Sequence, residues 1–211
     1  MTHKRMTIVL SGPSGVGKGT ICEEIVRRMP DMGVSISTTT RAPRPKKDGS
    51  MEQNGVEYFF ADKETFEKKV REGGFLEHAY VHGNYYGTSR EYVEQLKKAG
   101  KDVILEIDMQ GAFQVKADDP SAVTVFILPP EKSELRARLE GRHSETPETL
   151  EKRMKDAGRQ MPLAYTYDYV VLNDDLETAV NDVIGIIEAA RRRTSLNKET
   201  VDQINKSFQE D

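Results

Sequence analysis

Short apolar runs rich in β-branched residues recur along the chain and are typical of buried strands in a parallel sheet. The first run reads TIVL and ends at a glycine-rich segment. Three further runs read DVILEID, AVTVFIL and DYVVLN. We predict core strands at these four segments, which span residues 7–10, 102–108, 122–128 and 168–173.

Helical patterns lie between these runs, with apolar residues three or four positions apart. In the first helix the apolar face consists of Ile21, Cys22, Ile25, Val26 and Met29, and we expect Cys22 to belong to the core. The predicted helices span residues 18–29, 89–99, 131–142, 146–160 and 175–193. Strands that alternate with helices predict an α/β fold, with helices on both faces of a parallel sheet.

Residues 37–86 interrupt this alternation. A loop rich in proline, glycine and charge, RAPRPKKDGSMEQNG, precedes two strand-like segments, VEYFFAD and FLEHAYVHGNYYG. Between these segments we predict a short helix that begins after the N-cap residue Asp62 and ends near residue 72. The segment therefore predicts an inserted α+β subdomain.

Residues 138–161 predict a second insertion, which is charged and helical. The polar tail from Thr194 is expected to fray.

Composition and charge narrow the classes of function. A chain of 211 residues suits one domain with small insertions, and its net charge of -4 argues against a nucleic-acid binder. A single cysteine excludes an internal disulfide and fits a reducing cytoplasm. We find no apolar run near the ~18 residues that a membrane-spanning helix needs. We expect a cytoplasmic protein without nucleic-acid or membrane partners, and the sequence is silent on protein partners.

The segment GPSGVGKGT follows the first strand and opens the first helix, which is the context of a phosphate-binding loop. Glycines allow backbone N–H groups to approach a phosphate closely, and the helix N-terminus favours an anion. A chance glycine turn is the alternative, but strand, loop and apolar-faced helix occur in the required order. We name residues 12–20 the phosphate loop, and its members Gly12, Pro13, Ser14, Gly15, Val16, Gly17, Lys18, Gly19 and Thr20 are predicted to bind the phosphates of a nucleotide.

One position of the phosphate loop departs from the usual pattern. Gly19 stands where a hydroxyl normally binds magnesium, and the hydroxyl comes one residue later, at Thr20. One residue along a helix turns the side chain by about 100°, so Thr20 does not simply replace the missing ligand. Mg²⁺ often keeps several waters and binds through substrate phosphates. We expect no direct protein ligand, with Mg²⁺ held by nucleotide oxygens and waters and Asp108 nearby.

Two carboxylates lie at the end of the second core strand. Asp108 follows VILEI, and Glu106 lies on the same face two residues earlier. Ligands of open α/β sheets bind at the carboxyl ends of strands, where a carboxylate can orient metal-bound water. Either residue could instead cap a helix or assist Lys18.

Residues of the predicted insertion suit a second, smaller phosphate and its base. Arg41 and Arg44 can bind one phosphate through two guanidinium forks, although alone they could be a solvated surface pair. Tyr58 and Tyr86 can add phenolic donors. Glu77 can accept two hydrogen bonds from the N1–H and 2-amino groups of guanine, which adenine does not offer. As an isolated residue, Glu77 could equally be a surface strand position.

Taken together, these motifs resemble the guanylate kinases. The segments GPSGVGKGT, TTTRAPR, NGVEYFF, GFLEHAYVHGNYYGTS, LEIDMQGA, RLEGRHSE and VVLNDDL occur in the order seen in that family, across residues 6–192. The resemblance implies a P-loop type parallel sheet of five strands, an inserted GMP-binding subdomain and a helical lid. It implies transfer of a phosphoryl group from ATP to GMP or dGMP, with Mg²⁺, in purine nucleotide metabolism.

The resemblance also assigns segments and residues. It implies core segments at 1–36, 93–135 and 163–193, a GMP-binding insertion at 37–92, a lid at 136–162 and a polar tail at 194–211. By position, Ser37, Glu77 and Thr88 resemble the guanine-contacting residues, and Arg41, Arg44, Tyr58 and Tyr86 resemble the acceptor-phosphate clamp. Asp108 resembles the acidic residue near metal and acceptor, with Glu106 beside it, and Asn173 the residue near the donor adenine. Arg138, Arg142 and Arg153 resemble the lid arginines that, with Lys18, meet the transferring phosphoryl group.

Two other functions stay open at this point. A scaffold module of the guanylate-kinase-like type would bind phosphoproteins without catalysis, but a damaged phosphate loop would be expected there, and Lys18 and the glycines are intact. A kinase for another nucleoside monophosphate is disfavoured by Glu77 in the context GNYYGTS.

Overall fold

A computed structural model describes residues 3–46, 48–81, 83–141 and 146–209 of the chain. Its strands are β1 (Thr7–Ser11), β2 (Met32–Val34), β3 (Thr38–Thr39), β4 (Phe59–Phe60), β5 (Phe75–Val81), β6 (Asn84–Ser89), β7 (Asp102–Glu106), β8 (Val123–Leu128) and β9 (Tyr169–Leu172). Its α-helices are α1 (Lys18–Arg28), α2 (Lys63–Arg71), α3 (Arg90–Lys98), α4 (Met109–Asp118), α5 (Lys132–Glu140), α6 (Pro147–Gln160), α7 (Leu176–Arg191) and α8 (Lys198–Ser207). Short 3₁₀ turns follow α6 and α7, at Met161–Thr166 and Thr194–Leu196.

The main sheet confirms the predicted α/β architecture. Five parallel strands lie in the order β2-β7-β1-β8-β9, and the four predicted core strands are all among them. Apolar side chains are buried on both faces of the sheet. Ile8 and Leu10 of β1 pack with Ile21 and Ile25 of α1, whereas Val9 packs with residues of the opposite face. This alternation explains why β1 is apolar at every position but its ends.

A second sheet of four strands, in the order β4-β3-β6-β5, carries the segment that interrupts the alternation. Strand β6 pairs antiparallel with both β3 and β5. Helix α2 begins after Asp62, whose carboxylate accepts a hydrogen bond from the backbone N–H of Thr65, as the N-cap prediction required. Phe66 of α2 is buried and stacks on Phe75 and Tyr85, which attaches the helix to this sheet.

The structure corrects several element predictions. The core strand predicted at 102–108 ends at Glu106. Asp108 instead serves as the N-cap of α4, and the pattern did not predict that helix. The fifth strand, β2, was missed because it has only three residues and includes Gly33. The tail was expected to fray, yet residues 198–207 form α8. Helix α5 ends at Glu140, and Arg142 lies outside the described residues.

Among the described residues, no helix combines the length and hydropathy that crossing a bilayer requires.

Candidate active site

The phosphate loop joins the central strand β1 to α1 at the carboxyl edge of the main sheet. Gly17 has φ 101°, a left-handed conformation that favours glycine, and immediately precedes α1. A Cβ atom there would approach the Asn173 side-chain nitrogen to 2.5 Å, and a Cβ on Gly12 would approach the Ile127 carbonyl oxygen equally closely. Both glycines are therefore required by close packing around the loop as well as by its backbone angles.

The Lys18 side chain folds back over the phosphate loop. Its Nζ donates hydrogen bonds to the carbonyl oxygens of Gly12 at 2.9 Å and Pro13 at 3.3 Å. The ammonium group is thus held against the backbone of the loop, and Lys18 is itself the first residue of α1. A phosphate bound by the loop would lie within reach of this charge.

Asn173 supports the loop from behind. It lies directly after β9, is 5% exposed, and its Nδ2 donates a hydrogen bond of 2.7 Å to the carbonyl oxygen of Val16. The resemblance assigned this residue to the neighbourhood of the donor adenine. In the structure its amide nitrogen holds the backbone of the phosphate loop, a contact that no pattern in the sequence indicated.

Two of the three predicted lid arginines contact the phosphate loop. Arg153 of α6 donates a hydrogen bond of 2.6 Å to the hydroxyl of Ser14. Arg138 of α5 donates through Nη1 to the carbonyl oxygen of Val16 at 3.5 Å, while its Nε pairs with Glu134 at 3.0 Å. The third, Arg142, lies outside the described residues. Helices α5 and α6 therefore bring cationic side chains to the loop that is predicted to hold the donor phosphates.

The two carboxylates at the end of β7 differ in their surroundings. Glu106 pairs in register with Leu10 of β1, and its Oε2 lies 3.5 Å from where a Cβ of Gly19 would be. The Asp108 carboxylate accepts a hydrogen bond of 2.9 Å from the Gly111 N–H and caps α4. In the part of the chain that the structure describes, no three His, Cys, Asp or Glu side chains cluster as a metal site. Carboxylate oxygens are nevertheless available beside the head of α1, and oxygen donors are the ligands that Mg²⁺ prefers.

The predicted phosphate clamp is preorganised by a residue that the sequence analysis missed. The Arg41 side chain is only 8% exposed, forms a 2.8 Å ion pair with Glu52, and lies over the Tyr58 ring at 5.1 Å. Glu52 also accepts a hydrogen bond of 2.8 Å from the backbone N–H of Arg44. One carboxylate thus holds the Arg41 guanidinium and the Arg44 backbone, whereas the Arg44 side chain is exposed at a cleft shared with Tyr58, Tyr86 and Arg153.

A small cavity of about 180 Å³ adjoins this clamp, lined by Ser37, Tyr58, Glu77, Ala79, Val81, Tyr86, Ile107 and Asp108. Glu77 is 4% exposed, and its Oε1 accepts a hydrogen bond of 2.6 Å from the hydroxyl of Thr88, which is fully buried. Burial raises the pKa of Glu77 to about 7, and the negative charge of Asp108 adds to the rise, while the Thr88 hydrogen bond opposes it. The cavity therefore holds a carboxylate with hydrogen-bonding capacity left for a ligand.

Local strand geometry brings Glu77 and Thr88 together. The two residues pair directly across β5 and β6, and the register shifts by one residue between Phe75 and Glu77. Such a bulge re-aims side chains and is common beside active sites. Phe75, Glu77 and Ala79 are buried in alternation with the partly buried Leu76 and the exposed His78, so a carboxylate occupies a position that an apolar residue would normally take.

Comparison with known proteins finds relatives that are similar in sequence and in fold. The family model described as guanylate kinase matches residues 4–190. The guanylate kinase of Symbiobacterium thermophilum is 47% identical over 194 residues, which cover 92% of this chain and 90% of that protein. That of Carboxydothermus hydrogenoformans is 49% identical over 189 residues, 90% of each chain. A crystal structure of guanylate kinase from Anaplasma phagocytophilum superposes with a TM-score of 0.74 at 32% identity, covering 92% of this chain and 89% of that one.

Proposed function

The chain belongs to the guanylate kinase family, and we propose how its residues divide the phosphoryl transfer from ATP to GMP between them. The reaction yields ADP and GDP, and the enzyme is therefore a nucleoside monophosphate kinase. The observation that best supports this assignment of roles is the buried Glu77 carboxylate, which lies in a cavity beside the arginine clamp.

Glu77 reads the base in this proposal. Its carboxylate accepts hydrogen bonds from guanine N1–H and the 2-amino group, while Thr88 holds it in place and Ser37 lines the same cavity. Adenine offers an acceptor at N1 and no 2-amino group, so the carboxylate would stay buried without partners. Each hydrogen bond to a charged group is worth ~1.5–3 kcal/mol, which makes such selection strong. The same contacts serve dGMP, because they involve the base alone.

The acceptor phosphate is held by Arg41, Arg44, Tyr58 and Tyr86. Arg41 is fixed by Glu52, and the exposed guanidinium of Arg44 is available to pair with the incoming dianion. The clamp, together with the rest of the insertion at 37–92, would bind GMP. The donor nucleotide belongs on the opposite side of the cleft, with its phosphates on the phosphate loop at 12–20 and Asn173 behind that loop.

The transfer step requires alignment and charge neutralisation more than proton abstraction, since the acceptor is already an anionic phosphate oxygen. Lys18 stabilises the donor phosphates, and Arg138, Arg142 and Arg153 of the lid at 136–162 stabilise the charge on the transferring group. Closure of the lid excludes water, which would otherwise hydrolyse ATP. Segments 1–36, 93–135 and 163–193 form the rigid core on which these groups are mounted.

Magnesium fits the residues at the end of β7. Glu106 and Asp108 would hold the ion through bound waters, and Thr20 would bond an inner phosphate instead of the metal. The ion would neutralise phosphate charge when bound with ATP. Gly19 keeps the space beside Glu106 open, because any side chain there would contact the carboxylate.

A non-catalytic, phosphoprotein-binding scaffold was the alternative function. The intact phosphate loop, Lys18 hydrogen-bonded across it, and curated relatives named guanylate kinase over 90% or more of the chain favour the enzyme.

One assay tests the proposal: ADP release from ATP with GMP, dGMP, AMP, UMP or CMP as acceptor, for the wild type and Lys18→Ala. We expect turnover with GMP and dGMP, and almost none in Lys18→Ala. No turnover with any acceptor would support the scaffold, and turnover restricted to another nucleotide would remove Glu77 from base reading. Wild-type rates in Lys18→Ala would overturn the donor-site assignment.

A further inference from the structure

Gly111, the third residue of α4, has no backbone reason to be glycine. It is buried and helical, and it is not among the glycines with positive φ. Glycine inside a helix is less favourable than alanine, because it loses more conformational freedom on folding. A glycine at such a position therefore calls for an explanation in its surroundings.

The surroundings of Gly111 are the carboxylate of Glu77. A Cβ atom built on Gly111 would overlap Glu77 Oε2 and lie 2.9 Å from its Cδ and 3.2 Å from its Cγ. The carboxylate therefore occupies the space that the smallest side chain of α4 would need. Because the other carboxylate oxygen accepts the Thr88 hydrogen bond at 2.6 Å, a methyl group at 111 would push Glu77 away from Thr88 and into the cavity.

We propose that Gly111 is a positioning residue for base selection, whose missing side chain lets the Glu77 carboxylate lie against α4 in the orientation that reads guanine. The inference rests on the proposed role of Glu77. It concerns how that carboxylate is aimed, and it adds a helix residue of the main domain to a cavity that the second sheet shares with Ile107 and Asp108. Asp108 is the N-cap of α4 and Gly111 lies in its first turn, so the start of one helix presents both the acidic residue of the site and the backbone that Glu77 contacts.

The test compares GMP with inosine monophosphate, which has the same phosphate and ribose but lacks the 2-amino group. In Gly111→Ala, we expect the ratio of kcat/KM for GMP to that for inosine monophosphate to fall at least tenfold, with KM for ATP within twofold of the wild type. Gly185→Ala is the matched control. Gly185 is also a helical glycine without positive φ, but an added Cβ meets nothing within 4 Å, so the ratio should not change.

A double-mutant cycle separates this inference from the proposed function. Glu77→Gln alone should lower the ratio about tenfold, because an amide nitrogen cannot accept from the 2-amino group. In the Gly111→Ala background the same change should alter the ratio less than twofold. An unchanged ratio in Glu77→Gln alone overturns the role of Glu77 and the inference with it. If Glu77→Gln lowers the ratio but Gly111→Ala leaves it unchanged, or if the two effects multiply, the inference alone is overturned.

A structural explanation is also tested. Should Gly111→Ala fail to fold, Glu77→Asp in the same chain removes one methylene and withdraws the carboxylate from the methyl group. We expect this second change to restore the folded state. If Glu77→Asp does not restore it, Gly111 is needed for packing unrelated to Glu77, and the inference is overturned.

Discussion

At the scale of single residues, Glu77 shows how binding and stability oppose each other. Its carboxyl group has a pKa of about 7 because it is buried, with Asp108 adding to the rise. An unfolded chain releases the same proton near pH 4.3. Between these values the folded protein binds more protons than the unfolded chain, so the stability contributed by this group falls as pH rises through that window.

We therefore predict that Glu77→Gln stabilises the protein at pH 8 by about 1–3 kcal/mol, since it removes a buried charge. The Thr88 hydrogen bond is kept, because the amide oxygen still accepts it. Near pH 5 the advantage should shrink to about 1 kcal/mol or less, since Glu77 is then protonated in the folded state while the unfolded chain still gains only from its ordinary ionisation. Urea unfolding of both proteins at the two pH values measures this, and an equal difference at both would contradict it.

Glu52 gives a second prediction at this scale. Glu52→Gln leaves the buried Arg41 guanidinium without its counter-charge, so we expect destabilisation of about 2–4 kcal/mol and a raised KM for GMP. Glu57→Gln is the matched control, because Glu57 pairs with Lys46 in the same loop but is more exposed. That change should cost less than ~1 kcal/mol. Equal effects of the two variants on stability and KM would remove Glu52 from the clamp.

The sequence analysis named candidate residues for the clamp and the pocket, but it did not predict their burial or their ion-pair partners. The sequence analysis assigned Arg41 to the phosphate clamp but did not predict that its side chain is buried and paired with Glu52. Glu52 lies eight residues after Arg44 in a polar loop, and nothing in its spacing indicates the contact. Ion pairs between loop residues depend on how the loop folds back, which local patterns do not encode.

At the scale of elements, helix α6, which we propose to be part of a lid, is attached to the phosphate loop through Arg153 and Ser14. We predict that Arg153→Lys lowers kcat by about 10- to 100-fold, because lysine lacks the planar fork that pairs with two phosphate oxygens. Ser14→Ala removes the observed partner but not the guanidinium, so kcat should change less than threefold. Steady-state kinetics with saturating ATP and GMP measures both. A similar loss in both variants would mean that the hydrogen bond itself, rather than the charge, matters for turnover.

The elements that the sequence analysis missed all lack a clear apolar pattern, each for its own reason. Helix α4 carries Gly111 and the exposed Phe113, which blur its apolar period, although Ala112 and Val115 are buried. Helix α8 has no buried residue, so it shows no strong core-facing pattern. Strand β2 lies at the edge of the main sheet, beside β7, and is too short to form an apolar run. Long, strongly apolar strands were predicted correctly, because burial on both faces leaves a clear signal.

At the scale of the whole molecule, the two edges of the main sheet have different roles. The carboxyl edge carries the phosphate loop, Glu106 and Asn173. The opposite edge carries Asp102, which is fully buried and accepts hydrogen bonds from the Met6 N–H at 2.9 Å and from Arg191 Nε at 2.8 Å. Strand β7 joins these edges over a rise of roughly 13 Å for its five residues.

We predict that Asp102→Asn lowers the free energy of unfolding by about 2–4 kcal/mol without changing KM for either substrate at a temperature where the variant is folded. In the variant Arg191 keeps its ion pair with Asp31 at 2.8 Å but loses the buried counter-charge of Asp102. Asp118→Asn, which breaks an exposed pair with Arg90, is the control and should cost less than ~1 kcal/mol. A changed KM for GMP in Asp102→Asn would show that the two edges are coupled.

The half-protonated state of Glu77 near neutral pH turns GMP binding into a proton-releasing event. Guanine donors require the ionised carboxylate, so binding at pH 7 should expel about half a proton from this group. Titration calorimetry in buffers of different ionisation enthalpy would detect the release as a buffer-dependent heat. The GMP phosphate contributes its own titration to every variant, so the difference between the wild type and Glu77→Gln isolates the proton that the base pocket gives up.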